Sequence, residues 1–507
     1  MKTFFKTVAI VTVFSFIEKA LGFLYRIYLS RTIGSEGVGI YHIALSIFAL
    51  LFTICCSGIP ITVSRLMTKY QAENKGEKTN AVITAGILLA SSLALAVSLV
   101  VFFARSVFSF IFSDERCMKI FLILLPALTF NAVYAVMRGA FWGNKDFFTY
   151  SAIELLEELC MIIFGILLIE LSTNFFSGVV RAGVAVLISY LFSFTTSTIV
   201  MFSKGFRLKS PKKELKPLIK SSMPITLMRS VSSFISSLVS IILPLRLVAS
   251  GLTNAEAVAL FGSSFGMAMP LLFVPSTLIS SFTIVLVPEL STNFYSKKFD
   301  KLKIDLKKSL TFTVYISCLF IPIFFVLGEE LGVLVYNNLE SGVYLKHSAY
   351  LMFFLTLSSL TTSVLNSIGL ENKTLVFYLI SSLFMLLCIW FLPLFIGIYS
   401  LLVGFTFVFG LTTILNLILI RKKCGKLEIT RFFTLSVLFI IPTTILGLLI
   451  KNLVVNLLGS FLTVLFLSGF LAVFYSLLFP LFNLFDLGVL KSKMPTLKLK
   501  KSAKKPT

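Results

Sequence analysis

The chain has 507 residues with a mean hydropathy of +0.98, and 57% of them are hydrophobic against only 13% charged. Soluble domains average about a quarter charged and a little under half apolar, so a string of soluble domains is excluded. The formal charge of +23, from 45 Lys and Arg against 22 Asp and Glu, would suggest nucleic acid on a soluble surface. In a membrane protein the same excess marks orientation.

The N-terminal stretch MKTFFKTVAIVTVF has the charged start and apolar run of a secretory signal. No small-residue cleavage site follows, and the run continues through Glu18, Lys19 and Arg26 to Arg31. It reads as a retained first span. A membrane-crossing helix needs about 20 mostly apolar residues. Fourteen such runs occur in order: 7–31, 38–64, 81–104, 119–142, 150–171, 178–203, 219–249, 257–289, 309–328, 347–369, 374–395, 398–420, 432–450 and 457–482. With the N-terminus inside, 33 of the 45 Lys and Arg lie on cytoplasmic segments and six on the opposite side. That bias predicts both termini in the cytoplasm of a multi-pass protein in a bacterial plasma membrane. The seven cysteines form no C-x-x-C pair, and His42 and His347 are far apart. No metal, haem, disulfide framework or other cofactor is therefore expected.

Asn144-Lys145, after span 4, align with Asn372-Lys373, after span 10, at an offset of 228, which also places Pro60 on Pro288. This spacing predicts an all-α protein of two six-helix lobes in parallel repeat, a known transporter plan. The N-terminal lobe is 1–203, a basic cytoplasmic linker 204–220 and the C-terminal lobe 221–421. Two appended helices occupy 422–482 and a basic cytoplasmic tail 483–507.

Six basic residues remain inside the spans: Lys19, Arg26, Arg138, Arg181, Arg229 and Arg246. A charge at the bilayer centre costs a few kcal/mol even on the lenient insertion scale, so such residues face a bundle interior or a watery cavity. Lys19 and Arg26 are seven residues apart and share one helical face, with Gly22 between them. In span 7, Ser222, Thr226, Arg229, Ser233, Ser236 and Ser240 recur at helical spacing. Such a stripe serves either close helix packing or a hydrated cavity, and the arginine in its middle favours the cavity. A cavity flanked by Arg26 and Arg229 would grip carboxylate or phosphate oxygens with guanidinium forks. Arg65, Arg181 and Arg246 read as snorkelling residues near span ends. Among the acids, Glu154 and Glu158 lie one turn apart near the inner end of span 5, where Arg138 could neutralise one, and Glu157 points elsewhere. Glu18, Glu157 and Arg138 are candidate coupling or gating residues. No G-x-x-x-x-G-K-[ST] motif occurs, so transport driven by ATP on this chain is not expected.

The segments GFLYRIYLSRTIGSEGVGIYH (22–42), SGIPITVSRL (57–66), MRGAFWGNKDFF (137–148), ASGLTNAEAVALFG (249–262) and MPLLFVPSTL (269–278) resemble the stage V sporulation protein B-like group of the polysaccharide transport family. That family lies in the multidrug/oligosaccharidyl-lipid/polysaccharide exporter superfamily, with the lipid II flippases. The resemblance implies fourteen spans, a V-shaped pair of lobes, alternating access and an undecaprenyl-diphosphate-linked sugar as cargo. It also places Arg26 on the family's first-helix arginine, which faces the central cavity in lipid II flippases, and Arg138 and Glu157 on recurrent positions. Lipid II flippases can carry an Asp after the first helix and paired arginines at the end of the second; here those stretches hold Glu36 and a single Arg65.

The expected function is a flippase or exporter moving a lipid-linked oligosaccharide or peptidoglycan precursor from inner to outer leaflet. Arg26, Arg229 and Lys19 would hold the anion, and Ser233 and Ser236 the sugar. The bilayer and the anionic glycan lipid are the expected partners, with no nucleic acid, and the protein is expected to be monomeric. Coupling to the membrane potential or to a monovalent cation would drive it. One alternative is a cation-coupled multidrug exporter, which calls for an acidic cavity. A second is a membrane-embedded glycosyltransferase or ligase, which calls for catalytic acids or a metal on large outer loops.

Overall fold

The computed structural model describes residues 2–482, apart from 110, 111, 113, 426 and 428; the expected basic tail at 483–507 lies outside the described residues. The helices in chain order are α1 (Lys2–Cys56), α2 (Ile59–Ala72), α3 (Gly76–Phe103), α4 (Arg105–Ser109), α5 (Glu115–Gly143), α6 (Phe147–Glu170), α7 (Phe175–Ser203) and α8 (Lys212–Ala249). There follow α9 (Asn254–Phe261), a π-helical stretch at Gly262–Ala268, α10 (Met269–Phe273), α11 (Ser276–Tyr295), α12 (Phe299–Tyr336), α13 (Leu339–Ser348) and α14 (Leu351–Ser367). The last are α15 (Glu371–Phe391), α16 (Pro393–Ile396), α17 (Ser400–Thr406), α18 (Thr412–Cys424), α19 (Thr430–Leu438) and α20 (Ile440–Leu481). There is no strand among the described residues.

Among the described residues, eleven helices are long and apolar enough to cross a membrane, or twelve with the bent pair α13–α14, which turns by 62°. Hydropathy predicts fourteen runs, and the difference arises at two places. At about 1.5 Å per residue, α1 alone would be near 80 Å long, against a hydrocarbon core of about 30 Å. Gly34, at φ 69° and ψ −179°, breaks it in a region open only to glycine, so two predicted runs follow one another within α1. The other place is α6, whose Glu154, Glu157 and Glu158 exceed the charge expected of an ordinary span. Gly459, at φ 68°, breaks the 42-residue α20 in the same way.

Starts and stops follow local chemistry. Asp114, Asp146, Asn174 and Asn338 each accept a backbone N–H at the start of α5, α6, α7 and α13, satisfying donors the helix leaves open. Left-handed residues end several helices, each followed by a bond that closes the final turn. Asn74 and Lys297 do so after α2 and α11, Lys145 and Gly369 after α5 and α14, and Gly205 after α7. The expected register of Asn144-Lys145 on Asn372-Lys373 is not kept. Lys145 sits in the turn, whereas Asn372 and Lys373 lie in the first turn of α15 and Gly369 takes the turning position.

One large apolar core joins α1–α3 and α5–α7 to α8 and α9. A second unites α11, α12, α14, α18, α19 and the end of α20. Phe103, Phe395 and Leu481 are among many large apolar side chains left exposed, an outer surface that lipid rather than water would cover.

Candidate substrate cavity

The functional geometry begins where α1 gives way to α2. Pro60 has no N–H to donate, and the N–H of Gly58 goes instead to Thr226 Oγ1 of α8 at 3.1 Å. The chain kinks there. Gly58 has no room for a side chain, since a β-carbon would meet the carbonyl of Ser222 and lie 2.5 Å from Thr226 Oγ1. Along the same antiparallel pair, Ser237 Oγ donates to the Ser46 carbonyl at 2.8 Å, Arg65 to Ser221, and the Tyr70 hydroxyl to Glu214 Oε2 at 2.6 Å. Part of the span 7 stripe thus serves helix packing. Glycines do the same farther along α1, where Gly39 abuts the Val258 carbonyl and Gly262 the Ser35 carbonyl.

Beside the kink lies a cavity of about 440 Å³, within the usual range of about 300–1,000 Å³ for small-molecule sites. Four elements line it: the α1–α2 junction (Thr53, Cys56, Ser57, Pro60), α5 (Arg138, Trp142), α8 (Met228, Arg229, Ser232) and Leu375 of α15. Its lining carries two guanidinium groups and no carboxylate. Among the described residues, Arg229 Nη1 reaches only the Ser57 carbonyl, at 3.5 Å. The Ser57 hydroxyl is buried without a hydrogen-bond partner. Arg138 Nη1 donates to Glu154 Oε1 at 3.1 Å, its Nε has no partner, and its guanidinium lies 5.5 Å from the Trp142 ring. The lining can therefore supply positive charge, hydroxyls and an aromatic face to one ligand.

The structure brings Arg229 together with Arg138, not with Arg26. Arg26 faces Tyr41, Tyr336 and Glu158, and Gly22 leaves space for that glutamate, whose Oε1 would stand 2.8 Å from a β-carbon there. Lys19 is exposed and does not line the cavity. Ser232 lines it where Ser233 and Ser236 were expected, because the stripe turns toward α1 and α2. Glu18 lies near Glu154 and Glu158, while Glu157 is tucked toward Ser193 with Oε2 unpartnered. Of the residues expected to snorkel, Arg181 donates to the Leu168 carbonyl at 3.0 Å and Arg246 to the Trp390 carbonyl at 2.7 Å. Ser57 and Trp142 were not singled out in the sequence. Pro60 just after Ser57-Gly58 and the one-turn spacing of Arg138 and Trp142 were the signals present. Among the described residues no group of His, Cys, Asp and Glu is arranged to hold a metal ion.

The sequence profile of the polysaccharide biosynthesis protein family matches residues 4–294. Stage V sporulation protein B of Bacillus subtilis is 25% identical over 398 residues, covering 75% of this chain and 76% of that protein. Among solved structures, the lipid II flippase MurJ in an inward closed conformation superposes with a TM-score of 0.73 at 16% identity, over 92% of this chain and 98% of that one. An inward-facing multidrug resistance transporter of the MATE family gives a TM-score of 0.67 at 15% identity, over 82% and 96%. The fold is that of these transporters.

Proposed function

The chain belongs to the polysaccharide biosynthesis protein family, and from that premise we propose that it is a flippase for a lipid-linked glycan carrying a diphosphate. It is a multi-pass membrane transporter and not an enzyme, so the glycosyltransferase or ligase alternative is set aside. The observation that carries the reading is the sign of the cavity: Arg138 and Arg229 line it and no carboxylate does. A basic, partly desolvated cleft favours an anion and disfavours the cationic drugs of the exporter alternative.

In this reading the two guanidinium groups hold the diphosphate, and Ser57, Ser232 and Trp142 meet the first sugar. The cargo enters from the cytoplasmic leaflet and leaves on the other side as two lobes, divided near 204–220, rock about the cavity. Both termini lie in the cytoplasm of the bacterial membrane, and one copy suffices. An inside-negative potential assists outward movement of anionic charge by about 2.3 kcal/mol per charge per 100 mV, and a monovalent cation is a further source of drive. Proteoliposomes containing a fluorescent polyprenyl-diphosphate sugar test the proposal. Translocation by the wild type and its loss in Arg229→Ala are expected, whereas equal translocation by protein-free vesicles would sink it.

A further inference from the structure

Arg138 has two claims on it. It lines the cavity, yet its Nη1 is held at 3.1 Å by Oε1 of Glu154, a residue outside the cavity lining. Behind that pair the interior is crowded with acid. Glu18 on α1 lies close to Glu154 and Glu158, with Lys19 beside it. Glu157 on α6 is also within electrostatic reach of Glu154 and Glu158. The other groups facing this cluster are Arg26 of α1, beside Glu158, and the phenols Tyr25 and Tyr41 of α1, Tyr134 of α5, Tyr150 of α6 and Tyr190 of α7, which are neutral at ordinary pH. Of the cations near the cluster, Lys19, Arg26 and Arg138, Arg138 is the one that also lines the cavity, and through it the acidic cluster and the cavity compete.

We propose that anion binding in the cavity draws Arg138 from Glu154, and that the released carboxylate cluster takes up a proton from water. Before binding the charges are Arg⁺ against carboxylate; afterwards they are Arg⁺ against phosphate oxygen, with a neutral carboxylic acid behind. The balance closes without any other reactant. The physical cause is that like-charged carboxylates sharing a low-dielectric interior do not all stay ionised once their counter-ion leaves. The inference rests on the reading of the cavity as an anion site and adds a proton to its load.

Isothermal titration of the detergent-purified full chain with sulfate, in buffers of differing ionisation enthalpy, tests this. Sulfate keeps its charge across the neutral range, so any proton exchanged belongs to the protein. The expected result is uptake of about one proton per sulfate and an affinity that rises on acidification from about pH 8 to about pH 6, by linkage. Glu154→Gln is expected to bind sulfate several-fold more tightly at the alkaline end, with the proton uptake gone. Glu158→Gln, which keeps the Arg138–Glu154 pair, is expected to retain it. Sulfate binding by the wild type without proton uptake would overturn the inference and leave the anion cavity standing. No sulfate binding at all would overturn both. The wild-type measurement decides even if Glu154→Gln fails to fold.

Discussion

Gly58 and Thr226 meet backbone to side chain, the Gly58 N–H donating to Thr226 Oγ1 at 3.1 Å. The bond diverts a helical donor across to α8 one turn from Arg229. The kink, the cavity and the packing of α8 on α1–α2 therefore share one cause.

A methyl group at Gly58 has nowhere to go. Gly58→Ala is expected to push α8 away and lower stability by about 1–3 kcal/mol, the usual cost of overpacking. Gly469→Ala, with open space around that position, should leave the thermal unfolding temperature unchanged. Equal melting of the two variants would contradict the close approach.

Arg138 and Arg229 line the cavity, whereas Arg26 lies outside that lining, near Tyr41, Tyr336 and Glu158. Arg138→Ala and Arg229→Ala are each expected to cut glycan-lipid translocation at least tenfold, about 1.4 kcal/mol or more. Arg26→Lys, which keeps the charge beside Glu158, should retain most activity. Initial rates in proteoliposomes at matched protein content provide the comparison.

The α2–α8 contact offers a test of motion. Arg65 donates to Ser221, and the Tyr70 hydroxyl to a Glu214 that is only 4% exposed. Cysteines at 65 and 221 should cross-link readily with a short reagent. Adding Tyr70→Phe should lower the yield, since it removes the donor that satisfies Glu214. An unchanged yield would show that this bond does not hold these ends of α2 and α8 together.

Asp146 accepts from the Thr149 N–H at 3.3 Å and from Lys204, which also reaches Thr149 Oγ1 at 2.8 Å. Burial works to raise its pKa, but the hydrogen bonds from Lys204 and Thr149 prevail and hold it below the ordinary value. Its stabilisation is thus fully present above about pH 4, near the unfolded aspartate value, and is lost as pH falls through the lower folded value. Asp146→Asn should cost about 1 kcal/mol at neutral pH. In thermal melts the gap from wild type should close under strong acid.

Lys451 and Glu330 pair at 2.7 Å with side chains only 16% and 18% exposed, and the same ammonium donates to the Val326 carbonyl at 2.9 Å. The pair ties α20, between the two appended spans, to α12. Removing one partner should be more harmful than removing both, because it strands a charge. Lys451→Met is expected to destabilise by about 3 kcal/mol, with Glu330→Gln added to it restoring part of the loss in a double-mutant cycle.

Much of this protein was legible in one dimension. The pairing of Arg138 with Glu154 follows from their places at the adjoining ends of consecutive spans. Gly22 was legible as the small residue on the face between Lys19 and Arg26, and the room it leaves is taken by Glu158. The partner of Arg229 was not legible. A stripe such as Ser222–Thr226–Arg229 says which residues share a face but not which helix that face meets. Ser57 carried no motif, since its role depends on a kink whose diverted bond comes from a residue 168 positions away.

Hydropathy and the distribution of 45 basic residues by themselves determined the class: an all-α membrane protein. Burial of backbone polar groups in lipid leaves few alternatives for such a chain. Tertiary structure decided the cavity. Rotation and approach of each helix depend on glycine and serine contacts across it, as where Gly39 meets Val258 and Ser237 meets Ser46. Those close approaches turn Arg138 and Arg229 toward one space and leave Arg26 outside it.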